Sequence, residues 1–384
     1  MTYARARLWL GICGVGTWVL LSLAALLFQL PQWAFRGWEP TPAADLAGLA
    51  VMLAAYVAVS LPFDALGGWI LPNKFGRNVP PLGRFLAGWL RGAAAQGAVM
   101  IGCGAVLLTA ARAGGPWAAV GAAAGLMLLL LALQERLAVL VGGLRPAPAD
   151  TAPVRRTLER WGVVPPKLSV LAAGDPGFVG GPVGVPGFER VVVPESWLAG
   201  RLAPDAAAAQ IARRVGVLSA GSRLRGVLAA MGWNLGGFAL ALQIPGADPA
   251  TLAGLATLAA GFTLWSFLGL LLLPTVSRAG VYEADLFARR AGVPADLIAR
   301  TAAEVDRFGD DEPARPGWIE AIFHPVPSVD NRLRHLGNGA HRPVGAWQAA
   351  RTALFLSWAC WGLLGRAVHC NSGRPQLWVL LPGD

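Results

Sequence analysis

The residues that could do chemistry are few and unevenly placed. Four histidines, at 324, 335, 341 and 369, are the whole imidazole complement of the 384-residue chain. Metal or acid–base chemistry that needs imidazole must therefore come from the C-terminal part. Cys13 and Cys103 fall inside apolar runs, where a thiol acts as a small hydrophobe. Cys360 and Cys370 lie in the wall and at the rim of another apolar run. There is no CxxC pair, which argues against a cysteine zinc site or a redox pair. Asp64, Arg91, Glu135 and Arg136 are charges within apolar runs, where an unpaired charge is expensive. They read either as a polar cavity or substrate path, or as an ion-pair staple between helices. Glu304, Asp306 and Asp310-Asp311-Glu312 form an acidic patch without calcium-loop spacing, which reads as a solvated loop. The glycine-rich stretch 174–187 lacks the Gly-Lys-Ser/Thr ending of a phosphate loop. No ion-selectivity filter or repeated half marks a channel or transporter, and nothing identifies a serine nucleophile.

The elements that must position these residues follow from composition. The chain is 55% hydrophobic and only 14% charged, with a mean hydropathy of +0.52. A soluble domain carries about 25% charged residues. Together with long apolar runs, that deficit excludes a soluble enzyme and a disordered chain and points to a polytopic membrane protein. The net charge of +10 is almost all arginine, Lys74 and Lys167 being the only lysines. No basic stripe interleaved with aromatics supports nucleic-acid binding, and arginine beside membrane spans accounts for the balance. Seven segments are long and apolar enough to cross the bilayer: 8–30, 43–72, 83–112, 115–143, 223–244, 250–274 and 346–368. The first, behind Arg5 and Arg7, is too long for a signal peptide and reads as an uncleaved anchor. Arg5, Arg7, Lys74, Arg77 and Arg84, set against Arg36 and Arg112, place the N-terminus in the cytoplasm. Segments 144–222 and 275–345 then lie on the same side and the tail outside. On that topology Asp64, Arg91, Glu135 and Arg136 share one depth, about 12 Å below the cytoplasmic edge, where mutual pairing is expected.

Between the fourth and fifth spans the pattern changes. Residues 146–165, rich in alanine, proline and arginine, read as a linker. Two β-prone runs follow, 167–172 and 189–193, joined by the turn-rich 174–187. Pro204 and Asp205 then open a helix over 205–216.

That helix, Asp205-Ala-Ala-Ala-Ala-Gln210-Ile-Ala-Arg213-Arg-Val-Gly216, resembles the metal-binding helix of a family of integral-membrane zinc endopeptidases. The family comprises the CAAX prenyl proteases and the bacterial heat-shock membrane protease, where the helix carries H-E-x-x-H. Ser277-Arg278-Ala-Gly-Val281-Tyr282-Glu283-Ala284-Asp285-Leu-Phe287-Ala288 resembles its S-R-x-x-E-x-x-A-D-x-F-A helix. Phe323-His324-Pro325-Val-Pro-Ser328-Val-Asp-Asn-Arg332-Leu333 resembles its H-P-S-x-x-x-R-[IL] segment, with Val326 and Pro327 between His-Pro and Ser328. Order and spacing match over roughly 165–336, with a membrane hairpin between, and leave the four N-terminal spans uncovered.

The departures carry as much information as the matches. Zinc chemistry of this kind needs two histidines one helical turn apart, a glutamate base beside the first, and a glutamate on a later helix. The resemblance puts those roles on Ala209, Gln210, Arg213 and Val281, none of which can fill them. A one-residue shift gives Gln210, Ile211 and Arg214, and no histidine precedes His324. The retained motif residues are Ser277, Arg278, Ala284, Asp285, His324, Pro325 and Arg332. A rebuilt metal site would have to draw on His324, Asp285 and Glu283. Arg213 is expected to occupy the vacated positive site against Asp285, with ordinary solvated charges as the other reading. His324 and Arg332 read as substrate-side residues or as a structural clasp.

The expected fold is mainly α, a polytopic bundle of about seven spans with a small cytoplasmic α+β zincin-like domain. Its expected parts are 1–145, four spans; 146–222, the domain with the degenerate helix; 223–274, a membrane hairpin; 275–345, the second and third motifs; and 346–384, the last span and tail. The expected function is that of a pseudopeptidase, not an enzyme, with no metal and no cofactor, that binds or scaffolds a membrane-protein partner or complex. The alternatives are a transporter or lipid-handling protein using Asp64, Arg91, Glu135 and Arg136, and a zinc endopeptidase with rebuilt ligands. The expected surroundings are the lipid bilayer of a bacterial inner membrane, without nucleic acid.

Overall fold

The computed structural model describes residues 1–164, 166–309, 315–337 and 344–381. Helix α1 (Tyr3–Leu27) starts where the Thr2 hydroxyl accepts from the Arg5 amide. The short α2 (Leu30–Ala34) leads into α3 (Pro42–Ala65), capped by Thr41. One widened helical turn, Leu66–Ile70, joins α3 to α4 (Leu71–Lys74). Helix α5 (Leu82–Ala132) is broken at Gly115, where φ is +78°. Side chains avoid that region, so Gly115 with Pro116 divides one apolar stretch into the expected third and fourth spans. Helix α6 (Gln134–Gly142) follows. Leu20, Leu90, Leu129 and Leu272 point outwards, as lipid-facing side chains do.

The small domain opens with β1 (Arg145–Pro146) and α7 (Ala152–Arg160). Strands β2 (Leu168–Ala172), β3 (Gly181–Val183) and β4 (Arg190–Pro194) complete a sheet of order β1-β2-β4-β3. Strands β2 and β4 are parallel and the two outer pairings antiparallel. In β4 the alternation of a strand is put to use. Val192 enters the core shared with the membrane helices, whereas Val191 and Val193 enter the domain core. Helix α8 (Pro204–Ser219) lies in that domain core. Helix α9 (Ser222–Ala241) packs against the 39-residue α10 (Leu252–Arg290); α10 includes the span expected at 250–274, whereas α9, where a span was expected at 223–244, is not among the described helices long and apolar enough to cross a membrane. Helix α10 does not stop at the end of its apolar stretch. It continues to Arg290 and so carries the second motif on the same rigid element as a span. Helices α11 (Ala295–Phe308), α12 (Gly317–Phe323) and α13 (Val329–Gly337) close the domain.

Among the described residues, four helices are long and apolar enough to cross a membrane: Tyr3–Leu27, Pro42–Lys74, Leu82–Ala132 and Leu252–Arg290. The span expected at 346–368 is not one. Helix α14 (Ala349–Leu356) has eight residues, followed by one 3-10 turn, Ser357–Cys360, and irregular chain. Trp347, Trp358, Trp361 and Trp378 are each 1% exposed, so this apolar segment is hydrophobic because it is protein core. The seven spans from which the tail was placed outside are therefore not all found. Instead the C-terminal segment is built into the bundle. Arg7 donates to the carbonyl oxygens of Gly67 (2.6 Å) and His369 (2.6 Å). A Cβ on Gly67 would stand 2.5 Å from the Ser372 carbonyl oxygen, so only glycine admits the segment there.

Candidate functional site

The three motifs meet around Asp285. Helix α8 packs on α10, and α13 crosses α10 one element further on. Arg213 Nε donates to Asp285 Oδ1 at 2.5 Å and its Nη1 to Gln210 Oε1 at 2.7 Å. From the other side Arg332 donates with Nε to Asp285 Oδ2 (2.9 Å) and with Nη2 to Oδ1 (2.8 Å). Asp285 is 1% exposed and both arginines 2%, so the carboxylate is clamped between two desolvated guanidiniums. Arg214 faces the sheet, donating to the carbonyl oxygens of Val192 (3.1 Å) and Val179 and lying 4.9 Å from the Trp197 ring centre. Burial, then the Arg332 cation, pushes Arg213 down to about 10, and burial, then Arg213, pushes Arg214 down to about 9. Both keep their charge at neutral pH.

This chemistry does not fit zinc. Ala209 and Val281 offer hydrocarbon, Gln210 has its oxygen engaged, and Arg213 is a cation without a lone pair to donate. The rebuilt alternative does not assemble either. Glu283 accepts two bonds from Arg225 Nη2, at 2.9 and 2.7 Å, Asp285 is held as above, and the His324 ring lies 5.4 Å from that of His369. Among the described residues no three His, Cys, Asp or Glu side chains converge on a metal position.

The retained motif residues hold elements together. Ser277 Oγ donates to the Leu273 carbonyl and accepts from the Ala350 amide, tying α10 to α14. Arg278 Nη1 donates to the carbonyl oxygens of Glu320, Ala321 and His324, each at 3.0 Å, and so terminates α12. Ala284 is 1% exposed and leaves room for the contact between α8 and α10.

His324 and Pro325 line a cavity of about 340 Å³ between α1, α10, α12 and α14. Its walls are mostly apolar, among them Ile12, Leu270, Leu271, Ile322 and Phe323. His369 and Cys370 of the C-terminal segment lie in the same wall. Asp306 lies in the cavity wall and its charge acts on Arg213, so cavity and clamp are neighbours, but the clamp itself is closed. The motif at 323–333 gave His324 as a candidate. Nothing in the sequence placed α1 or His369 opposite it.

Asp64, Arg91, Glu135 and Arg136 do not form one cluster. Asp64 pairs with Arg366, accepts from Trp89 Nε1 at 2.9 Å and from the Gly373 amide at 2.8 Å. Glu135 accepts from Ser169 and lies 3.9 Å from Arg190 Nη1, so it joins α6 to the sheet. Arg91 lies against Gly143, and Arg136 is exposed. The depths read from span ends were equal, but the helices face different neighbours. Of the remaining candidates, His335 stacks on Tyr282 at 4.4 Å, and Asp306 pairs with Arg315 at 3.6 Å. His341 and Asp310, Asp311 and Glu312 lie outside the described residues.

An α-helical membrane bundle whose span helix runs on into a small mixed-sheet domain defines the class: an integral-membrane protein with a membrane-protease fold. The crystal structure of S. mikatae Ste24p shares it, with a TM-score of 0.65 and 14% identity over 84% of this chain and 80% of that one. No family signature and no curated protein matches the sequence. Ste24p is a CAAX prenyl protease, a zinc metalloprotease. That corrects the expectation that this chain is not an enzyme, which rested on lost ligands alone. What this chain shares with that enzyme is the fold.

Proposed function

We propose that this protein recognises a membrane-embedded polypeptide segment in the cavity beside a degenerate metallopeptidase centre. The cavity carries the reading. It is apolar and bounded by two helices long enough to cross the membrane, α1 and α10. It also meets the retained His324-Pro325 of the third motif, the part of the resemblance that implies a substrate side. An apolar wall selects for apolar side chains, and the few polar groups fix orientation. The Arg213–Asp285–Arg332 clamp then holds the three motifs in place where the resemblance implies a metal would have done so. A partner protein, or a subunit of a complex containing this chain, is the ligand class.

A photo-reactive amino acid at Leu271, in the cavity wall, tests this against the same group at the outward-facing Leu129. The expected result is a polypeptide adduct from position 271, absent from 129 and abolished by Ile12→Trp or Leu270→Trp. Adducts to lipid alone, or equal polypeptide adducts from both positions, would sink the reading.

A further inference from the structure

Helix α12 exposes side chains that a water-facing surface does not favour. Trp318 is 65% exposed and Ile322 37%, and Ala321 is exposed as well. At spacings of three and four residues from Trp318, they share one face of the helix. The one charged residue of α12, Glu320, is buried and accepts from Asn331 Nδ2 at 2.6 Å. The usual surface helix is thereby reversed, with apolar groups outside and charge inside. Elsewhere in the same domain the usual order is kept: α7 buries Val154 and Leu158 and exposes Arg155, Arg156, Glu159 and Arg160.

The position of α12 gives the reversal a reason. Arg278 Nη1 holds the carbonyl oxygens of Glu320, Ala321 and His324, which sets α12 beside residue 278 of α10. On α10 the exposed apolar residues Leu272 and Val276 end two positions before Arg278, about 3 Å along the axis. So α12 lies where α10, a helix long and apolar enough to cross a membrane, leaves its apolar stretch. Ile319 and Phe323 of α12 line the same cavity as Leu8 and Ile12 of α1, and beside them on α1 Trp9 is 60% exposed. Exposed tryptophans thus stand on two elements that bound the cavity. Tryptophan favours the headgroup layer of a bilayer, where its body is in apolar surroundings and its N–H meets water or phosphate. We propose that the Trp318–Ala321–Ile322 face of α12 lies in the headgroup layer of the bilayer crossed by α10, so that the small domain touches the membrane surface beside the cavity. Continuity selects lipid as the occupant. Arg278, at the junction, directs Nη1 onto α12 carbonyls and Nη2 onto Thr275 Oγ1, and apolar surface lies exposed on both sides of it. The contact stands whether or not a polypeptide occupies the cavity.

Depth-dependent quenching in liposomes tests this. Trp318→Cys, in the full chain with the more accessible native thiols removed as Cys13→Ser and Cys370→Ser, carries a fluorophore on the α12 face. Glu159→Cys, on the charged face of α7, carries the same fluorophore as a water-facing reference. Phosphatidylcholine with a nitroxide on its headgroup is expected to quench the label at 318 several-fold more than the label at 159, and iodide in the buffer to do the reverse. Equal quenching at the two positions overturns the proposal. So does a label at 318 that neither quencher reaches, which is the mark of a protein chain covering the face. Ala321→Cys reads the same face if Trp318→Cys does not fold.

Discussion

Arg213 spans a gap that a smaller cation could not. Its Nε reaches Asp285 while Nη1 reaches Gln210, so two directed bonds leave one planar group. A lysine offers a single point of charge and cannot hold both partners at once. Arg213→Lys is therefore expected to destabilise the protein, and Arg213→Ala to do so by about 3–5 kcal/mol, the usual cost of uncovering a buried charge. Asp285→Ala releases both arginines and costs at least as much. Because the residues act as a unit, the double variant Arg213→Ala/Asp285→Ala should cost clearly less than the sum of the two singles. Chemical unfolding in detergent measures this. Strict additivity would mean that the two do not depend on each other.

At the scale of elements, the C-terminal segment behaves as a wedge. It enters between α1, α3 and α5, held by Arg7 on one flank and by Arg366 on the other. Its backbone passes Gly67 so closely that Gly67→Val has no room for its side chain. The expected outcome is partial loss of the wedge, and the half-buried Cys370 reports it. Its reaction with a maleimide should quicken markedly in Gly67→Val relative to the unaltered protein. An unchanged rate would show that the segment holds its place without that contact. The same wedge explains why the expected seventh span fails. A helix that faces lipid needs only an apolar surface, whereas 349–381 is enclosed on nearly every side. Apolar composition is common to both situations.

For the whole molecule, contacts bring three distant parts of the chain together. Arg7, five residues beyond the α1 cap, touches His369, and Arg374 Nε donates to Asp175 of the small domain at 2.7 Å. The start of α1, the domain and the C-terminal segment therefore lie together, so a membrane crossed by α1 would leave all three on one side. Cysteines introduced at the exposed Thr2 and Phe188 are expected to react with an impermeant thiol reagent from the same side of sealed vesicles. Labelling from opposite sides would contradict the fold. Which compartment that side faces follows only from the arginine distribution, and the same vesicles measure it once their orientation is known.

Several features were legible in the residues alone. Hydropathy marked the membrane helices, because length and apolar content are local quantities. The β-prone runs 167–172 and 189–193 became β2 and β4, and Pro204-Asp205 opened α8. The motif register, read without coordinates, put Arg213 and Asp285 in correspondence, and they are in contact. The tertiary structure decided what sequence periodicity cannot carry. The partner of Asp64 is Arg366, 302 residues away, and no local pattern links the two. Arg332 shares Asp285 with Arg213 because α13 folds back over α10. The division of 346–368 between lipid and core was likewise undetermined, since burial against protein and burial in hydrocarbon select the same side chains. The cavity belongs to this second class. Its walls come from α1, α10, α12 and the C-terminal segment, which only the packed chain brings together.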